Sequence, residues 1–152
     1  MKNKTTYHLD YFKGVFETYA LQNDPGVNVS YHFDIDDFSI EGTQVEALKK
    51  KFDYFQAYEF EFSEITRTAF EEVLNRWLYA EFQPNYIKNT STMTVIQQIV
   101  DDLVASCHID SFYKMASLTR DGKNAENEFG YATDFIVLTS ATKRYFCEFT
   151  VG

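Results

Sequence analysis

No stretch of the chain approaches the run of about 18 or more apolar residues that spans a membrane. The opening Met1 to Gly14 also lacks the apolar run of a secretory leader. Both absences lead to the expectation of a cytoplasmic protein. Cysteine is scarce. Cys107 falls in an apolar helical pattern and Cys147 in an apolar strand pattern, where a thiol behaves as a small hydrophobe, so two buried thiols are expected rather than a disulfide. There is no Gly-x-Ser-x-Gly elbow, phosphate-binding loop, Gly-x-Gly-x-x-Gly turn or Cys-x-x-Cys pair, which removes the enzyme classes built on those motifs. Internal repeats, low-complexity tracts and linkers are missing as well, so residues 1–152 are expected to form a single α+β domain.

What the chain has in quantity is aromatic rings and negative charge. Fifteen Phe and eleven Tyr among 152 residues imply a core built largely from rings, each burying about 150–250 Å². Tyr hydroxyls need polar surroundings, which places many of them at the core margin or on an interaction surface. The net charge of −9 is unevenly spread. Eight acids against Lys13 give −7 over residues 5–48, and ten acids against Arg67, Arg76 and Lys88 give −7 over residues 52–113, whereas residues 114–152 balance at five against five. Such a field disfavours direct binding to nucleic acid, which relies on Lys and Arg at phosphates, and favours a basic partner or a cation.

Periodicity supplies the elements. Leu9, Phe12, Val15, Phe16 and Tyr19 recur at helical spacing over Tyr7 to Gln22. Val27, Val29, Tyr31, Phe33 and Ile35 alternate with polar residues as a half-buried strand. Phe38 and Ile40 are on the other parity, which predicts a turn or bulge at Asp36-Asp37. A second helix starts at Gly42-Thr43 with Val45, Leu48, Phe52 and Phe55 on one face. Tyr58 to Phe62 alternates as a strand, although the helix pattern also reaches toward it. Further helices are predicted over Ser63 to Phe82 and from Thr90 to Cys107. Three strands close the chain, Phe112 to Leu118, Tyr131 to Thr139 and Tyr145 to Val151, as an antiparallel meander. The expected fold class is therefore α+β, with about four helices and an antiparallel sheet that includes a C-terminal three-stranded meander.

Three functional readings follow. The polar face of the first strand presents His32, Asp34 and Asp36 about 6.6–6.8 Å apart per step, with Asp37 and Glu41 close by. Inside a cup this row would serve a small-molecule enzyme or ligand-binding module. It fits no EF-hand spacing, so no metal, cofactor or catalytic residue is assigned. The second reading rests on acidity. Glu59 and Glu61 share a strand face, Glu64, Glu71 and Glu72 fall on the outer side of the next helix, and Asp101-Asp102 on the one after. Rows of this kind can occupy a phosphate-binding groove on a basic protein, and in size and charge the chain resembles anti-restriction, anti-CRISPR and toxin-immunity proteins. The preferred expectation is thus an acidic inhibitor of a basic, nucleic-acid-handling protein such as a nuclease. Its contact residues would be Asp34, Asp36, Asp37, Glu59, Glu61, Glu64 and Glu71, with no direct nucleic-acid or membrane partner. The third reading is a structural or assembly subunit that buries exposed aromatics in a homo-oligomer. Finally, Asp134-Phe135-Ile136-Val137 followed by Tyr145-Phe146-Cys147-Glu148-Phe149-Thr150 resembles the hairpin of the PD-(D/E)xK nucleases. Thr150 stands where that family carries its Lys, so nuclease activity is not expected.

Overall fold

The computed structural model describes residues 6–23, 30–79 and 90–152. Helix α1 (Leu9–Asn23) is followed by strand β1 (Tyr31–Phe38), α2 (Gln44–Lys51), a 3-10 turn at Asp53–Phe55, β2 (Glu59–Ile65), α3 (Arg67–Leu78) and α4 (Thr90–Cys107). The remainder is β3 (Ser111–Arg120), the short β4 (Lys123–Asn124), a 3-10 turn at Glu126–Phe129, β5 (Ala132–Thr139) and β6 (Arg144–Val151). The α+β expectation holds. The four helices accompany one antiparallel sheet in the order β1-β6-β5-β3-β2, with β4 paired to β3. The predicted meander is present as β3, β5 and β6. The first half of the predicted first strand, Val27 to Val29, and the predicted end of the third helix at Phe82 lie outside the described residues.

Helix boundaries follow from local chemistry. Thr43 caps α2 by accepting from Glu46 N–H at 3.1 Å while the Glu46 carboxylate reaches back to Thr43 N–H, a reciprocal capping box. Lys49, Lys50 and Lys51 occupy its last turn, where cations complement the helix dipole. Thr66 caps α3 by accepting from Ala69 N–H, so the helix predicted from Ser63 starts at Arg67. Ser63, Glu64 and Ile65 extend β2 instead, paired with Lys114, Tyr113 and Phe112. The alternation at Tyr58 to Phe62 is strand from Glu59 onward, with Tyr58 just before it.

The sheet is covered on both faces. On one side α1, α3 and α4 bury Phe12, Phe16, Phe70, Leu74, Trp77, Ile96 and Val100 against Phe33, Ile35, Ile136, Leu138, Cys147 and Phe149. On the other, α2 and the first 3-10 turn bury Leu48 and Phe55 against Phe38, Phe60, Met115, Phe135, Val137 and Phe146. This second layer explains the parity change in β1. Its pairing with β6 runs unbroken from Tyr31↔Val151 to Phe38↔Arg144, so the predicted bulge at Asp36-Asp37 is absent. Phe38 simply faces the α2 side, opposite to Phe33 and Ile35. A real irregularity occurs in β3, where the register against β2 shifts between Glu59 and Glu61. Ser117 there adopts φ 57°, which lets both Met115 and Leu118 enter the second core.

Both cysteines are free thiols buried in the first core, and burial pushes each thiol above its ordinary value. Among the described residues, no helix is long and apolar enough to cross a membrane.

Candidate functional site

The acidic residues singled out in the sequence fall into three places rather than one. The first is the β1 edge. Unbroken register puts His32, Asp34 and Asp36 on the α2 side of the strand, where Asp34 stands directly opposite Glu148 of β6. Like charges directly opposed across an antiparallel pair repel, and three groups answer them. Lys13, reaching from α1, approaches Asp34 Oδ1 to 3.2 Å and Asp36 Oδ1 to 3.9 Å. Tyr54, the middle residue of the first 3-10 turn, donates its hydroxyl to Glu148 Oε1 at 3.1 Å. His32 Nε2 lies 3.9 Å from Glu148 Oε2. The neighbouring Glu148 carboxylate raises the His32 pKa against the opposing pull of partial burial, and the charge of Asp34 adds to the rise. Burial, followed by the charge of Glu148, pushes the Tyr54 hydroxyl upward, so it remains a donor. Asp37 points to the other face and pairs with Lys143 at 3.2 Å.

The second place is the opposite edge of the sheet. Four strand spacings separate β1 from β2, about 19 Å, so the residues expected to form one contact surface are divided between two margins. Phe60 and Phe62 pack toward the second core, which turns Glu59 and Glu61 to the face of α1, α3 and α4 and leaves Glu64 on the α2 side. All three are exposed. No ion pair joins them to any described residue, whereas Asp34, Asp36 and Asp37 are each held by a lysine. Glu64 lies opposite the half-buried Tyr113.

The third place is the α3–α4 contact. Here Glu71, expected on the outer side of the helix, is buried at 7% exposure. Its carboxylate lies 3.7 Å from Arg67 Nε, and Arg67 also pairs with Asp101 of α4. Glu71 therefore serves helix packing and is closed to a partner. Glu72 is exposed as expected, and Arg76, one turn further along α3, is turned to Asp134 at 3.0 Å.

Asp134 itself disposes of the nuclease resemblance. It shares the face of Ile136 and Leu138, accepts from Trp77 Nε1 at 2.7 Å and contacts Lys114 Nζ at 3.2 Å. Glu148 belongs to the opposite face, beside Tyr54. The Asp and the Glu that the resemblance brings together are thus on opposite sides of the sheet.

Two clefts of about 490 and 500 Å³ open over the helical layer, one lined by Tyr7, Arg67 and Asp101, the other by Glu72, Arg76 and Lys114. Neither is lined by the His32 row.

No family model and no curated protein matches the chain. A solved structure matches in shape. The crystal structure of citrus MAF1 superposes with a TM-score of 0.53 over 94% of this chain and 97% of that chain, at 10% sequence identity. At that identity the likeness shows a shared fold alone.

Sequence reasoning did not place Lys13, Tyr54 or Glu148 at the β1 row. Glu148 is 94 residues from Tyr54 in sequence, and only the pairing of β1 with β6 brings it beside His32 and Asp34. No local pattern carries that information.

Proposed function

We propose that this protein binds and inhibits or sequesters a basic, nucleic-acid-handling protein, and that the contact is made by the β2 edge. The observation that carries this reading is the contrast between the two margins. The carboxylates of β1 are met by Lys13 and Lys143, while Glu59, Glu61 and Glu64 are exposed and unpaired among the described residues. Uncompensated charge projects a field that steers an oppositely charged partner. Glu59 and Glu61, two residues apart on a strand, are separated by about 6.6–6.8 Å, close to two phosphate steps of about 3.4 Å along a nucleic-acid strand. Phe62 and Tyr113, half-buried on either side of Glu64, supply the aromatic anchoring that binding energy usually requires. The same glutamates also keep an open sheet edge from pairing with another copy.

The test is capture of partners from host lysate at low and high salt, using the wild-type chain and a Glu59→Lys, Glu61→Lys, Glu64→Lys variant. A basic partner should be retained by the wild type, released by salt and lost by the variant. A partner retained equally by both, or one that contacts the β5–β6 hairpin instead, would defeat the reading.

A further inference from the structure

We propose that the β1–β6 corner binds a single transition-metal dication of the Zn²⁺ class, with His32, Asp34 and Glu148 as its protein ligands. One donor atom from each of the three lies within 4.8 Å of the other two. Tetrahedral donors about 2.1 Å from a metal are about 3.4 Å apart. Closing the site therefore needs only modest side-chain rotation, which the exposure of His32 permits (62% for its side chain). The backbone already supplies the order: Asp34 is opposite Glu148 in a continuous ladder, and His32 is two residues along the same face.

Three independent features favour a dication over a solvated polar patch. The directly opposed carboxylates repel each other, so a cation between them removes an unfavourable contact. The imidazole Nε2 is directed at a carboxylate, and a mixed nitrogen and oxygen donor set suits Zn²⁺ or Co²⁺ better than Mg²⁺ or Ca²⁺. Tyr54 donates to Glu148 Oε1, the kind of outer hydrogen bond that orients a ligating carboxylate. Three protein ligands would leave a coordination position for water.

Lys13 is the built-in competitor. Its ammonium contacts Oδ1 of both Asp34 and Asp36, so it and the metal draw on the same negative charge. Affinity falls as pH drops, because His32 must be neutral to ligate. The groups facing it are Glu148 from β6, Asp34 and Asp36 from β1, Lys13 from α1 and Tyr54 from the 3-10 turn. This site lies at the margin opposite β2, so it stands or falls separately from the proposed partner contact.

The experiment is titration of the metal-free full chain with Co²⁺, followed by visible absorption, with Zn²⁺ added as competitor. The wild type should bind one Co²⁺ with a visible band that Zn²⁺ abolishes. His32→Gln and Glu148→Gln should each weaken binding by about tenfold or more, Lys13→Met should tighten it, and His8→Gln with His108→Gln should leave it unchanged. Melting curves check that each variant is folded, and His32→Gln, being on the surface, is the decisive one. No Co²⁺ or Zn²⁺ binding at millimolar metal, wild-type affinity in folded His32→Gln, or unchanged affinity in Lys13→Met would each overturn the proposal.

Discussion

Replacing Asp134 by Ala should destabilise the protein more than any exposed acid can. The Asp134 side chain is 11% exposed and meets three donors: Trp77 Nε1 at 2.7 Å, Arg76 Nη2 at 3.0 Å and Lys114 Nζ at 3.2 Å. The bond from a fully buried indole to a carboxylate is worth about 1.5–3 kcal/mol. Arg76 and Lys114 are 34% and 41% exposed, so solvent screening limits each to about 0–1 kcal/mol. The total is about 1.5–5 kcal/mol, which for a chain of this size lowers the melting temperature by roughly 3–20 °C. Asp134→Asn keeps an acceptor for the indole and loses only the charge, so it should cost about half as much. Urea denaturation followed by Trp fluorescence measures both variants, and Trp77 is the chain's sole tryptophan. If Asp134→Ala shifts stability by less than about 1 kcal/mol with an unchanged denaturant slope, the carboxylate is not what fixes α3 to the sheet.

Phe55→Ala should cost about 3–5 kcal/mol, because this fully buried ring contacts Phe60, Phe129, Phe135 and Phe146 at centroid distances of 5.3–5.7 Å. A loss under about 1 kcal/mol in the same urea assay would mean that the 3-10 turn is not part of the second core. His32 gives a pH signature in the metal-free protein. Its folded pKa is raised above 6.5, so the stabilisation is complete below the unfolded value and disappears as pH rises through the folded one. The melting-temperature advantage of wild type over His32→Gln should therefore grow as pH falls from about 8 to about 6, and a constant difference would rule out the Glu148 contact in solution.

Much of the fold was legible because periodicity records which face of an element meets a core. Helix α4 and the three C-terminal strands were found nearly at their observed limits for that reason. The reading failed where one-sided burial was assumed. Phe38 is out of phase with Phe33 and Ile35 because it serves a second layer, supplied by α2 and the 3-10 turn, of which alternation says nothing. It failed again at Glu64 and Glu71. The cap at Thr66 moved the helix start past Glu64, and Arg67 drew the Glu71 carboxylate inward. The three-group cluster at β1 was half visible, in that His32 and Asp34 are two apart on one strand, but Glu148 and Tyr54 reach it only through strand pairing and layer packing.

The two-sided covering of the sheet also changes how its central strands find their alignment. In a sheet with one wet face, a slip of one residue exposes apolar groups, and water enforces the register. Residues 135–139 of β5 and 144–147 of β6 are buried whichever way they point, so water is indifferent to such a slip. Size must decide instead. A one-residue shift would drive the ring of Phe146 into the space of the Cys147 thiol and leave a void on the other side. The alternation that matters in β6 is therefore one of volume, large beside small, and Cys147 is kept small so that its neighbours can be large.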